Sequence, residues 1–401
     1  MKPLLLCILL LLNCHRESKT VVDFWHVMSG PPGKKLDEMI ADFNRLHPEG
    51  VVRSVHMGSY DALAQKLMGA VSSRTPPAIA QMYESWTDQF NAAGFLQPLQ
   101  DLVRSDTAFD LADFYPVFIA DNTFDSVLVT LPFNKSVPVF YYNADLLARA
   151  GFDHFPSDWN EYRKVCSGVK AQGVWPTSWP VDVWYFGIML YQAGGELYDT
   201  RDRRPAFNAQ TGVEVLEYLM NLVKDSLFYL NPGFQRQDEF LAGNVAMIPA
   251  SIVSWAFLKG RPTFHMGVAP FPQGRRKAII IAGTNIGLFR KISSAQRRLA
   301  WEFIRWFLRP ENQAQWTRAS YYLPTRRRTA RLPEFQQFLS ENPGYGRILE
   351  QLDFADTEPR IQEWFTGRFF LTDALEEALR GERTAPAALD YAARRMMVEM
   401  K

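Results

Sequence analysis

The run LPFNKSVPVFYYN, residues 131–143, is apolar except for Asn134, Lys135 and Ser136 near its centre. An amide, an ammonium and a hydroxyl placed together can hold a polar ligand by hydrogen bonds, with charge added by the lysine. Similar chemistry recurs along the chain. Tyr60 follows the strand-like run GVVRSVHMG, and Glu84 closes the apolar run PPAIAQMYES. Ser251 and Ser254 form a polar turn after VAMIP, Gly283 breaks the run AIIIAGTNIGLF, and Tyr322 precedes a prolyl turn in YYLPTR. The loop WPTSWPVDVW carries Trp175, Trp179 and Trp184 around one carboxylate, Asp182. Ionised carboxylates accept charge-assisted hydrogen bonds from hydroxyls, and tryptophan faces attract cations. Each residue also has an ordinary structural use: Glu84 as a charge favoured at a helix N-terminus, Tyr60 and the tryptophans as core packing.

Reaction chemistry is poorly represented. The six histidines are scattered without metal-ligand spacing, and there is no Walker loop, no GxGxxG after a strand and no nucleophile elbow. Glu84 with Asp182 is the carboxylate pair that a glycoside hydrolase would use. The expectation is a binding protein with no catalytic residue, metal or cofactor.

From Thr20 the strand and helix patterns alternate. VVDFWHV reads as a strand, Leu36, Met39, Ile40, Phe43 and Leu46 recur at helical spacing, and Pro48 ends that helix. A second strand precedes a helix with Leu63, Leu67 and Val71 on one side, and a third strand leads to Glu84. Such a βαβαβ start places the loops after its strands at one edge, where open α/β sheets bind ligands. The fold class is therefore α/β, and 401 residues are enough for two lobes.

Forty-four Lys plus Arg balance 43 Asp plus Glu, so nothing calls for nucleic acid. The leader MKPLLLCILLLLNC has a short apolar run, Leu4 to Leu12, of signal-peptide type, too short to span a bilayer. Cys14 sits where a lipobox cysteine would be acylated, although Asn13 replaces the usual small residue before it. Export with a lipid anchor is expected, leaving Cys166 alone and no disulfide framework.

At FWHVMSG, GSYDALAQKL, PPAIAQMYES, LPFNKSVPVFYYN, GNVAM and YYLPTR, in that order, the chain resembles the solute-binding proteins of bacterial ABC importers. Within them it is most similar to the branch for sn-glycerol 3-phosphate and glycerophosphodiesters such as glycerophosphocholine. The resemblance implies a monomeric, two-lobe periplasmic-binding-protein-like fold with discontinuous lobes, a ligand cleft at the hinge and ABC permease subunits as partners. It places the signal peptide and tether at 1–19, one lobe at 20–130 plus 283–323, and the other at 131–282 plus 324–401. Tyr60, Glu84, Ser136, Trp179, Trp184, Ser251, Ser254, Gly283, Tyr322 and Arg360 become the ligand-binding set, with Arg360 as phosphate partner. Residues 134–136 become a turn facing the cleft, in which Asn134 bonds its own backbone, Ser136 meets ligand and Lys135 is left open. Asp182 departs from the family pattern, since it would welcome a choline cation and oppose a bare phosphate. A sugar or oligosaccharide is the alternative ligand.

Overall fold

The structure is a computed structural model that describes residues 19–231, 233 and 235–400. The expected signal peptide and Cys14 lie outside the described residues.

Ten strands build two five-stranded sheets. In chain order they are β1 (Thr20–His26), β2 (Gly50–His56), β3 (Ile79–Met82), β4 (Leu131–Ser136) and β5 (Pro138–Asn143), then β6 (Trp175–Trp179), β7 (Phe228–Leu230), β8 (Val245–Ser251), β9 (Met266–Ala269) and β10 (Ala282–Leu288). The first sheet has the order β2-β1-β3-β10-β4, the second β7-β6-β8-β5-β9. In the first, β1, β2 and β3 run parallel, and β10 is antiparallel to both β3 and β4. In the second, β6 is parallel to β7 and β8, while β5 is antiparallel to β8 and β9. Strands covered on both faces are buried at every position, as in IAQM of β3 and LPFNKS of β4.

The helices follow the apolar spacing. Helix Gly30–Leu46 has prolines in its first turn and buries Leu36, Met39, Ile40 and Phe43. Helix Tyr60–Ser72 is capped by the Ser59 side chain, which accepts from the Ala62 amide, and buries Leu63, Leu67 and Val71. Each sheet with its helices encloses its own core: Phe24, Phe43, Phe133 and Phe303 in the first, Phe140, Trp179, Leu216 and Leu375 in the second.

Two expected boundaries need correction. β4 pairs with β10 in the first sheet, so the chain crosses to the second sheet at Val137, later than the expected 131. The polar residues explain this: Asn134 and Lys135 find partners in the first lobe, and Val137 enters the second core. Residues 134–136 are accordingly strand and not a turn. Helix Pro116–Asp121, inside the 20–130 segment, buries Tyr115, Val117 and Phe118 in the second core, so that segment is shared. The chain returns on β10 at Ala282, and the Leu323 amide donates to the Lys135 carbonyl at 2.7 Å.

Gly283 has φ +103°, and a Cβ there would lie 1.9 Å from the Asn134 carbonyl oxygen. Gly283→Ala combines a left-handed backbone with a backbone clash, and a stability loss of about 3 kcal/mol or more is expected. Urea unfolding followed by tryptophan fluorescence checks this; an unchanged midpoint would show that the strand shifts freely.

Candidate ligand-binding cleft

A cleft of about 900 Å³ lies between the sheets, lined from both cores. Its floor is ionic. Lys135 on β4 is fully buried, with Nζ 2.5 Å from Asp121 Oδ2 and 3.1 Å from Glu84 Oε1. Glu84 opens helix Glu84–Ala92 directly after β3, and Asp121 ends helix Pro116–Asp121. Asn285 on β10 donates Nδ2 to Glu84 Oε1 at 2.9 Å and to Asp121 Oδ2 at 3.3 Å. Burial, then the Asp121 carboxylate, push the Glu84 carboxyl up to about 8, with Lys135 opposing them. Burial works against the Lys135 charge, but Asp121 and Glu84 outweigh it and hold its pKa above the ordinary value. Lys135, open in sequence, is thus satisfied by two carboxylates.

Beside the floor, the Tyr60 ring sits 4.9 Å from Tyr83, which meets Trp86 edge-on at 5.2 Å. The Tyr60 hydroxyl accepts from Gln81 Nε2 at 3.4 Å and Asn134 Nδ2 at 3.5 Å. Asn134 Oδ1 accepts from the Thr284 amide at 3.1 Å and from Gln81 Nε2 at 3.3 Å. Asn134 therefore ties β3, β4 and β10 together; the expected bond to its own backbone is replaced by these cross-strand partners.

The facing wall comes from the second lobe. Asp182 caps helix Val183–Gln192, its Oδ1 accepting from the Trp184 amide at 2.9 Å and from Arg368 Nη2 at 2.7 Å. Arg368 Nε forms an ion pair with Glu358 Oε2 at 2.8 Å, and Glu358 Oε2 accepts a hydrogen bond from Trp364 Nε1 at 2.7 Å. Burial opposes the Arg368 charge, yet Glu358 and Asp182 raise its pKa above the usual arginine value. Trp184 donates Nε1 to the Ile280 carbonyl at 2.9 Å and keeps a ring on the cleft. Ser254 Oγ accepts from Gln237 Nε2 at 3.1 Å, and Ser251 Oγ accepts from the Val253 amide at 3.4 Å.

Eight of the ten residues expected around a ligand line this one cleft: Tyr60, Glu84, Ser136, Trp184, Ser251, Ser254, Gly283 and Tyr322. Two do not. Trp179 is 2% exposed and stacks on Phe228 at 5.2 Å inside the second core, because it lies at the end of β6 and points into the sheet's packing. Arg360 donates to the carbonyls of Ala120 and Thr123, the latter at 2.7 Å, and lies over the Phe124 ring, so it braces the end of helix Pro116–Asp121. The guanidinium on the cleft from this C-terminal segment is Arg368. A helical reading of EWFTGRFF would have found it, since Trp364 and Arg368 share a face one turn apart. Nothing local in the sequence marks Asp121 or Glu358.

Six carboxylates line the cleft, from Asp61, Glu84, Asp121, Asp182, Asp238 and Glu358, against three cations, Lys135, Arg261 and Arg368. Among the described residues no group of three His, Cys, Asp or Glu is arranged for a metal, and no helix is long and apolar enough to cross a membrane.

Residues 38–341 match the family model described as bacterial extracellular solute-binding protein. The chain belongs to that family. It is 26% identical to the sn-glycerol-3-phosphate-binding periplasmic protein UgpB of Pectobacterium atrosepticum, covering 96% of this chain and 92% of that one. The Escherichia coli K12 UgpB is also 26% identical, covering 98% and 97%. Among solved structures, UgpB from Mycobacterium tuberculosis in complex with glycerophosphocholine superposes with a TM-score of 0.84 at 23% identity, covering 95% and 98%. The cyclic alpha-maltosyl-1,6-maltose binding protein from Arthrobacter globiformis gives 0.83 at 24%, covering 94% and 98%. This solute-binding protein therefore has the periplasmic-binding-protein fold and is a non-enzymatic, extracytoplasmic component of ABC transport.

The floor makes stability pH-dependent. Glu84 ionises near its ordinary 4.5 when unfolded and only near 8 when folded, so the native state binds the extra proton between those values. That contribution is complete below about pH 4.5 and is lost as pH rises through about 8. Urea midpoints measured from pH 5 to 9 should carry this falling component, and Glu84→Gln should flatten it; an identical pH profile in the variant would remove the assignment.

Proposed function

We propose that this solute-binding protein captures a glycerophosphodiester with a cationic headgroup, glycerophosphocholine being the simplest, and delivers it to an ABC permease. The supporting observation is the wall where Arg368 lies between Asp182 and Glu358 with Trp184 and Trp364 alongside. The guanidinium suits a phosphodiester monoanion, and the carboxylates with tryptophan faces suit a quaternary ammonium. Tyr60, Glu84, Ser136, Ser251, Ser254 and Tyr322 supply hydroxyls and an acceptor for the glycerol, with Gly283 leaving room beside them. The excess of carboxylates disfavours sn-glycerol 3-phosphate, a dianion, relative to a ligand with its own positive charge.

The second reading is a neutral sugar or oligosaccharide, favoured by the same carboxylates as hydroxyl acceptors. In either case ligand touching both lobes would favour a closed form, with the crossings at Val137, Ala282 and Leu323 as the hinge. Acylation at Cys14 would hold the monomer at the outer membrane surface, and Cys14→Ser should release it into the soluble fraction; retention of the variant in membranes would end that proposal.

Calorimetry with glycerophosphocholine, glycerol 3-phosphate, maltose and trehalose separates the readings. Glycerophosphocholine should bind tightest, and Arg368→Ala should weaken it about 30- to 100-fold, roughly 2–3 kcal/mol for a charge-assisted contact. Arg360→Ala should change it only a few-fold. Tighter binding of a disaccharide, insensitive to Arg368→Ala, would decide for the sugar.

A further inference from the structure

Three phenyl rings line the cleft beside its polar groups. Lys135, Asp121 and Asn134 at the floor are buried, whereas Phe365 and Phe369 are 42% and 56% exposed and line the same cavity. These two rings stand one turn apart at the start of helix Trp364–Leu379, edge to face with centroids 5.5 Å apart, flanking Arg368. A third phenyl, Phe257, is 40% exposed, lines the cavity and packs over Gly30 from the opposite lobe. Exposed large apolar side chains that adjoin a binding cavity mark further contact surface, because water gains nothing from them and a ligand does.

The volume points the same way. About 900 Å³ lies near the top of the roughly 300–1,000 Å³ range of small-molecule sites, and it exceeds what a glycerol phosphate headgroup fills. Part of its wall is phenyl rings that carry no polar atom. A sugar unit could lay only its C–H face on these rings, whereas an alkyl chain is apolar on every side and leaves no polar group unpaired against them.

Building on the reading of the headgroup site, we propose that the phenyl pair is an acyl subsite. The preferred ligand is a monoacyl glycerophosphodiester, a lysophospholipid bound head first, with the first methylenes of its chain over Phe365 and Phe369. The phosphodiester meets Arg368, the cation meets Asp182 and Glu358, and the acylated carbon of the glycerol turns away from the floor toward the phenyl pair on the same helix. The rings share the cavity with the polar floor.

The test is calorimetry of the mature chain with glycerophosphocholine and its 1-acetyl, 1-butanoyl and 1-hexanoyl esters, all below their micellar concentrations. Affinity should rise about threefold to fourfold per added methylene, the equivalent of ~0.8 kcal/mol each, until the chain clears the rings. Phe365→Ala combined with Phe369→Ala should flatten the series, and Phe365→Leu with Phe369→Leu should restore most of the slope. Glycerophosphocholine bound with no gain along the series overturns the acyl subsite and leaves the headgroup reading intact. Absence of binding by every member overturns both. A gain that follows added glucose units from maltose to maltotetraose, with none from the acyl esters, also overturns it.

Discussion

The Lys135 ammonium holds the centre of this molecule together. Its side chain joins Asp121 and Glu84, each at the end of a different helix, while its backbone pairs with Gly283 and its carbonyl accepts from Leu323. One residue thus touches four chain segments where the two lobes meet. A buried ammonium is tolerable only when its charge is met at close range, and here two carboxylates and the amide of Asn285 complete the cluster. The geometry of the cleft floor follows: helix Glu84–Ala92 cannot slide along β3, nor helix Pro116–Asp121 along β4, without exposing one of these charges to an unpaired partner.

The same cluster restricts what the cleft can recognise. A lysine already held by Asp121 and Glu84 offers little to an incoming phosphate, so the floor behaves as a hydrogen-bonding surface with little net charge. On the opposite wall Arg368 donates Nη2 to Asp182 and forms an ion pair with Glu358. That arrangement holds the fork rigid and aims it, at the expense of partly neutralising it. It suits a monoanion accompanied by a cation better than a dianion.

Much of this was legible before the structure. The alternation of strands and helices follows from apolar spacing, and Tyr60 and Glu84 could be placed because each directly follows a strand of a parallel βαβ unit, whose loops share an edge. What was not legible depends on distance or on helical phase. Asp121 reaches the floor because Tyr115, Val117 and Phe118 anchor its helix in the other core, a long-range effect with no local mark. Trp179 and Trp184 stand on either side of Asp182 in one short loop. The first ends a strand that is buried on both faces, and the second begins a helix whose N-terminus opens on the cleft. Arg360 and Arg368 look equivalent as letters; the first precedes the helix and turns back to carbonyls at 120 and 123, the second lies on its cleft-facing side.

The junction near 321 shows how a two-lobe protein assigns adjacent residues to different bodies. Tyr321 ends helix Pro310–Ser320 at φ 61°, a left-handed backbone that a tyrosine adopts at a cost of roughly 1 kcal/mol or more. Its ring stacks on Trp255 at 5.1 Å in the second core. Tyr322, the next residue, stacks on Trp316 at 5.7 Å against the first core and faces the cleft. The left-handed residue reverses the direction of the chain so that consecutive rings part toward opposite lobes. Rotation of one lobe against the other would pull these rings apart, and the backbone between them is where the change would have to be absorbed. A ligand touching Tyr322 would act on the same short segment that joins the lobes, and binding and lobe orientation would then share one mechanical element.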